Sequence, residues 1–410
     1  MKILFIHGNY PAQFHWLAAA MGQQSQHEVR YLTARADAAS VPIAGVQLEL
    51  YQDPGKATAG AAPLQAATTA AIERAAVIEA RLLELAQQGF VPHLVVVHGG
   101  NGLGLLIKTL IPDCRLVGYY EWYFQPESAA LLLGRTDRLT RSMVQLRNLA
   151  ISQELLQCDA AVVPTAWQAQ QFPQGLRPLL TQIFDGVDGH MFQPPADPAR
   201  DWPLHLKGEA GAVSVAADQP LLTYATRGME PLRGFPEFLR ALPPVLAARP
   251  ELQVLIAGRD RSAYGAPAPS HGGSWKEMVL AELGDFPGRE RITFTGLLPR
   301  GAYRQMLQRC NLHCYFSQPY VTSWSLFEAV ACGAPVLTNP GDATTGTLPE
   351  VLQHTVPLNA GPEAMAAAML AALEQPAPPR PLPDWIWRRQ SEQGWQQLLN
   401  RCCQRNSDQT

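Results

Sequence analysis

Short apolar runs recur along the chain, each stopped by glycine or a small polar residue and followed by a stretch whose apolar side chains fall at helical spacing. Ile3-Leu4-Phe5-Ile6 stops at His7-Gly8-Asn9 and is followed by Phe14, Leu17, Ala18 and Met21. That pattern predicts a buried parallel strand, a glycine turn and a helix, the opening unit of a doubly wound α/β fold. His27–Leu32, His93–Val97, Leu116–Tyr120 and Cys158–Val163 read as further strands, and Ala57 to Gln88 as a long helix with alanine and leucine on its buried stripe. The alternation resumes at Leu221–Ala225, Leu252–Arg259, Arg291–Leu298, Leu312–Phe316 and Val336–Thr338. Two Rossmann-like domains follow from this, over residues 1–190 and 191–380, with the Pro- and Gly-bearing segment Pro194 to Pro220 as linker. A proline-rich link, Pro376 to Pro383, then precedes an amphipathic tail at 381–410 that carries Trp385, Trp387, Trp395 and Leu398.

The chemistry gathers where predicted strands meet turns. Gly8, Asn9 and Gln13 fall at the carboxyl edge of the first sheet, where such folds bind ligands. His98 ends a β-branched strand before two glycines; a lone histidine there is also read as structural. Glu121 stands among Trp122, Tyr123 and Phe124, a set that stacks on a sugar and binds its hydroxyls, or packs under a loop. Arg227 and Arg233 flank a strand-to-helix turn, and two forked guanidinium groups beside a helix start suit a diphosphate. In the stretch Ser317 to Leu337 a loop of small polar residues opens a short helix, with Glu328 about one turn in. There the carboxylate either accepts hydrogen bonds from a ribose diol or stabilises the helix dipole. Arg135, Arg138, Arg141 and Arg147 form a stripe that suits an anionic lipid surface or a solvated helix face.

Composition narrows the classes. Apolar residues make up 47% and charged residues 16% of the 410, and a net charge of -3 gives no general attraction to nucleic acid. The absence of a long apolar run predicts no spanning helix or secretory segment and a cytoplasmic protein. Seven scattered cysteines predict reduced thiols; Cys310 and Cys314, a helical turn apart, lack a second ligand pair for zinc. No Gly-x-Gly-x-x-Gly follows the first strand, which disfavours a nicotinamide oxidoreductase, and no Asp-x-Asp pair supports a metal-dependent GT-A enzyme.

The Ser317–Leu337 segment, with Asp185-Gly186-Val187-Asp188, the His98 strand and the Arg227–Gly234 turn, resembles the retaining GT-B glycosyltransferases of family 4. The resemblance implies two Rossmann-like domains facing across a cleft, with the tail helix crossing back to the first. It further implies a nucleotide-diphosphate sugar as co-substrate, with no cofactor and no metal. Glu328 then takes the ribose, Ser323, Ser325 and Leu326 the phosphates and nucleotide, and Gly296 and Leu297 the base. Arg227, Arg233 and His98 carry the catalysis, while Gly8, Asn9, Gln13 and Glu121 contact the acceptor or the sugar. Arg233 occupies the position usually held by lysine, and Tyr320 stands eight residues before Glu328, where the family has a sugar-binding glutamate. This matches a bacterial subgroup with a modified first half of the motif. The implied role is transfer with retention to a saccharide, lipid-linked or protein acceptor in surface polysaccharide or glycoconjugate synthesis, with peripheral membrane contact. The alternative is a non-catalytic sugar-nucleotide-binding partner in a glycosylation complex.

Overall fold

Successive side chains of a strand point to opposite faces, and in the first strand both faces are buried. Ile3 and Phe5 pack with Phe14, Leu17 and Ala18, whereas Leu4 and Ile6 pack with Ile78, Leu82 and Leu85 on the other side. Continuous apolar runs are what a parallel strand covered on both faces requires. The structure, a computed structural model describing residues 1–55, 62–376 and 380–404, divides into two units. The first comprises Met1–Ala129, Thr136–Asp185 and Arg389–Thr410, the second Ala130–Arg135 and Gly186–Arg388.

The first unit holds β1 (Lys2–His7), β2 (Glu28–Thr33), β3 (Val46–Leu50), β4 (Leu94–His98), β5 (Arg115–Tyr119), β6 (Ala160–Val163) and β7 (Leu180–Gln182). They form one parallel sheet in the order β3-β2-β1-β4-β5-β6-β7. The second unit holds β8 (Leu204–Gly208), β9 (Gly211–Val215), β10 (Leu221–Gly228), β11 (Gln253–Arg259), β12 (Ile292–Gly296), β13 (Leu312–Cys314), β14 (Val336–Thr338) and β15 (His354–Thr355). Its parallel sheet runs β12-β11-β10-β13-β14-β15, and β8 pairs with β9 as an antiparallel hairpin. Both sheets reverse direction beside their first strand, between β1 and β4 and between β10 and β13. Loops leaving the carboxyl ends part there, and an open α/β sheet has its natural crevice at such a point.

Three expectations need correction. The segment Pro194 to Pro220 is not a linker: it carries the β8–β9 hairpin and belongs to the second unit. Arg309, buried to 1% exposure, holds it by donating to the carbonyls of Trp202 (2.7 Å), Ala216 (3.2 Å), Ala217 (3.1 Å) and Gln219 (2.8 Å). Arg200 adds bonds to the carbonyls of Cys310 and Gly333. The alternation Leu204, Leu206 and then Val213, Val215 around Gly208-Glu209-Ala210-Gly211 is a hairpin signal, masked by the surrounding prolines. Cys310 and Cys314 do not share a helix, because Cys310 caps the helix Arg300–Arg309 and Cys314 lies in β13; both are buried free thiols. The long helix spans Ala66–Gln87, and the part expected at 57–61 lies outside the described residues.

The helix Arg388–Gln404 packs Trp395, Leu398 and Leu399 into the core that covers one face of the first sheet. The expected arginine stripe is not one helix face: Arg138 and Arg141 lie in the helix Arg138–Leu146 and Arg147 caps it, whereas Arg135 precedes that helix and belongs to the second unit. Arg141 pairs with Glu127 at 3.4 Å, and the Arg147 guanidinium lies 5.2 Å from the Phe124 ring. No helix among the described residues is long and apolar enough to cross a membrane.

Arg309→Ala removes a buried cation from four backbone acceptors. It is expected to cost about 3 kcal/mol in chemical denaturation, with accelerated amide exchange across β8 and β9.

Candidate functional site

In the first unit the register decides the geometry. Ile6 pairs with Val97, so His7 and His98 finish neighbouring strands with ring centroids 4.2 Å apart. The Nδ1 of His7 accepts the Asn9 backbone N-H at 2.8 Å, which leaves the proton on Nε2 to donate to Gln13 Oε1, also at 2.8 Å. Gln13 Nε2 then donates to Glu121 Oε1 at 2.7 Å, and the other Glu121 oxygen lies 3.4 Å from His98 Nε2. Burial, and then the nearby His98, hold His7 well below the ordinary histidine pKa, against the opposing Gln13 bond. His7 is therefore a neutral polar link rather than an acid. A cavity of about 270 Å³ opens here, lined by His7, Gly8, Asn9 and His98 together with Tyr51 and Asn101. Gln13 and Glu121 join it through the two histidines.

Sequence reasoning missed the residue that shapes this edge. Glu154, with no exposed surface, accepts the N-H groups of Gly100 (2.6 Å), Gly102 (2.8 Å) and Gly104 (3.3 Å), fixing the loop that leaves His98. Burial pushes its carboxyl up to about 7, against the pull of those N-H groups and of His98. An acid on the buried stripe of a helix, beside Ile151 and Leu155, was the available signal.

In the second unit Tyr224 pairs with Cys314, with Arg227 near the carboxyl end of β10 and Ser317 just past the end of β13. Arg233, buried to 8% exposure, donates to Ser317 Oγ at 2.7 Å and to the Val321 carbonyl at 3.0 Å. It thereby fastens the loop that runs into the helix Trp324–Ala331. Ser323 caps that helix: its hydroxyl accepts the Ser325 N-H at 3.4 Å and meets Ser325 Oγ at 2.9 Å. Leu326 is fully buried and its N-H bonds to the Ser323 carbonyl at 3.2 Å. Glu328 is half-buried and its carboxyl group makes no hydrogen bond to a described residue; burial pushes that carboxyl up to about 7, opposed by Arg300.

Arg227 is exposed and donates to the Tyr264 hydroxyl at 3.1 Å. The guanidinium carbons of Arg227 and Arg233 lie 5.8 and 6.0 Å from the Tyr264 ring, whose centroid is 5.9 Å from that of Tyr320. Arg227, Arg233, Tyr320 and the Ser323 helix are thus brought together, with Tyr264 as a member that sequence reasoning missed. Gly296 and Leu297 lie under the hairpin turn: Glu209 donates its N-H to the Leu297 carbonyl at 3.1 Å and accepts the Leu297 N-H at 3.3 Å. No hydrogen bond or ring contact among the described residues links that pair to the arginines. Among the described residues no group of three or more His, Cys, Asp or Glu is placed to hold a metal ion.

Residues 25–192 match the family model described as Glycosyl transferase family 4 group, and residues 219–375 match Glycosyl transferases group 1. Comparison with curated proteins finds no match. Among solved structures the chain is similar to sucrose-phosphate synthase from Thermosynechococcus elongatus, at 18% identity and a TM-score of 0.66 over 98% of each chain. It is also similar to Anabaena HepE, solved with UDP and glucose, at 15% identity and a TM-score of 0.59 over 92% of this chain and 90% of that one. The catalytic domain of starch synthase IV from Arabidopsis thaliana, bound to ADP and acarbose, is 11% identical with a TM-score of 0.59, covering 98% of this chain and 99% of that one. At such identities the likeness is one of fold, two-domain GT-B, and each unit's parallel α/β sheet agrees with it.

Glu154→Ala leaves three loop N-H groups without their acceptor. A loss of about 3 kcal/mol is expected, with faster exchange at Gly100, Gly102 and Gly104. Because the folded carboxyl stands at about 7 against an ordinary 4.5, its contribution is complete below 4.5 and is lost as pH rises through 7. The wild-type advantage over the variant, followed by denaturation against pH, shrinks across that window.

Proposed function

The chain belongs to the family 4, group 1 glycosyltransferases, and on that premise we propose that it moves a sugar from a nucleoside-diphosphate sugar to an acceptor hydroxyl with retention and without a metal. The observation that carries this reading is the pair Arg227 and Arg233 at the reversal point of the second sheet, both beside the Tyr264 ring, with Arg233 tied through Val321 to the loop that opens the Glu328 helix. Solved relatives that hold UDP with glucose, or ADP with acarbose, support a nucleotide donor.

In this reading the sugar–phosphate C-O bond breaks and its electron pair stays on the diphosphate, where both guanidinium groups and the N-H groups of the Ser323 helix stabilise the new charge. The acceptor oxygen bonds to the same face of the sugar carbon, and its proton passes to the departing phosphate oxygen. No enzyme carboxylate is needed as a nucleophile. Glu328 accepts hydrogen bonds from the ribose diol, and Gly296 and Leu297 meet the base through backbone groups. By the family resemblance His98 and Glu121 serve the sugar and Gly8, Asn9 and Gln13 the acceptor, which is a saccharide, lipid-linked or protein hydroxyl in surface-glycan assembly. Work at the inner face of a membrane fits such an acceptor. A second reading, a non-catalytic sugar-nucleotide-binding partner, is favoured by Tyr320 standing where the family has a carboxylate.

A stability screen against UDP, GDP, ADP, CDP and TDP is expected to raise the melting temperature with one base above the others, and Arg227→Ala to abolish the shift. Nucleoside diphosphate release from the matching sugar donor, absent in Arg227→Ala, supports the enzyme; binding without turnover on any donor supports the second reading. Since free Glu328 holds its proton up to about 7, a ligand that needs the carboxylate must expel that proton at lower pH. Diphosphate affinity therefore rises as pH rises towards 7 and levels off above it. In Glu328→Gln that component disappears, while the ligand's own phosphate titration remains in both proteins.

A further inference from the structure

We propose that Tyr264 is a donor-binding residue of the arginine site and that Glu230 is the group that positions it. The inference rests on the reading that Arg227 and Arg233 hold a diphosphate, and it adds two residues that neither the family models nor the solved relatives assign.

Glu230 lies between the two arginines in the chain and has no exposed surface. One of its carboxylate oxygens accepts three successive backbone N-H groups, those of Ala263 (3.1 Å), Tyr264 (3.1 Å) and Gly265 (2.7 Å). Gly265 favours so close an approach, because a Cβ there would stand 3.2 Å from that oxygen and 3.3 Å from the Leu131 carbonyl, a tight contact on both sides. The loop after β11 is thereby fixed against the turn after β10. Tyr264 is 41% exposed, so burial does not hold its side chain; the backbone bonds set where it stands.

From that position Tyr264 acts on the arginines in two ways. Its hydroxyl accepts one N-H of Arg227, an exposed side chain that would otherwise lose rotamer entropy on meeting a ligand. The remaining guanidinium donors stay free for phosphate oxygens, and the phenol keeps its own O-H to donate. Its ring also lies within cation-π range of both guanidinium carbons, easing the repulsion between two cations brought to one ligand. A diphosphate has oxygens and charge enough for both arginines and the phenol, whereas a monophosphate engages fewer of them.

The test uses the full chain and the nucleoside diphosphate that stabilises it best in the five-base screen, titrated calorimetrically beside the corresponding monophosphate. Tyr264→Phe is expected to weaken the diphosphate about 3- to 10-fold, the effect of one hydrogen bond, and Tyr264→Ala by more, with the monophosphate changed about 2-fold or less. Glu230→Leu, of similar volume but without acceptors, should weaken the diphosphate about 10-fold. Glu230→Gln, whose amide oxygen can take the three N-H groups, should restore it. Diphosphate affinity unchanged in Tyr264→Ala overturns the proposal, as does equal loss of mono- and diphosphate, which marks general loosening of the site. Should Glu230→Leu not fold, the two Tyr264 variants decide the matter, since that side chain is not part of the core. If no diphosphate binds the wild type, the reading of the arginine pair falls and this inference with it; if the wild type binds and the Tyr264 variants bind equally, only this inference falls.

Discussion

A carboxylate in a protein interior is tolerated only where donors surround it, and each unit of this chain places one there. Glu154 gathers the N-H groups of Gly100, Gly102 and Gly104, and Glu230 those of Ala263, Tyr264 and Gly265. In both cases the donors belong to a loop leaving the carboxyl end of a strand, β4 in one unit and β11 in the other. Loops of this kind are polar and rich in glycine, so side-chain burial holds them at few points. A wholly buried acid adds an anchor by accepting several backbone N-H groups at once. The loop that follows His98 and the loop that carries Tyr264 owe their positions to these two groups.

Parallel register then explains which residues meet. His7 and His98 are remote in sequence, yet the β1–β4 pairing leaves them side by side at the reversal of the first sheet. Across β10 and β13 the same kind of pairing brings Arg227, near the end of one strand, and Ser317, just past the end of the other, to the carboxyl edge, and Ser317 in turn receives Arg233. The strands carrying these groups were legible in the sequence because each is an apolar run that ends at a polar or glycine turn. What no periodicity displays is the partner of a buried polar group. Glu154 read as one more helical residue and Glu230 as one more turn residue, since their acceptors' donors lie roughly fifty and thirty positions away. Tyr264 was hidden for the same reason: a tyrosine in a loop gives no sign that it will face two guanidinium groups.

The segment before β10 shows how composition misleads when a buried charge overrides it. Prolines and glycines between 194 and 220 suggest a free linker, but the fold depends on the carbonyl groups they leave without regular partners. Arg309 and Arg200 take up several of those carbonyls and those of neighbouring turns, so the hairpin becomes part of the second unit and its turn lands on Leu297. Arg309, like the two glutamates, satisfies backbone groups that secondary structure leaves open.

Tyr320 bears on the charge balance of the arginine site. A glutamate at that position would bring an anion near the ring of Tyr264 and hence near Arg227 and Arg233. It would compete with phosphate for the same cations while offering hydroxyl groups an acceptor. Tyrosine removes that competition and retains a polar tip. The carboxylate left on the helix is Glu328, which burial already favours in its protonated form up to about 7. In the free protein both features limit negative charge on this loop and helix before a ligand arrives, and Glu328 gives up its proton only when the ligand calls for its carboxylate. At the position of Tyr320, recognition of the sugar then comes from a ring face and a neutral hydroxyl, a chemistry that tolerates changes in hydroxyl pattern better than a paired carboxylate does.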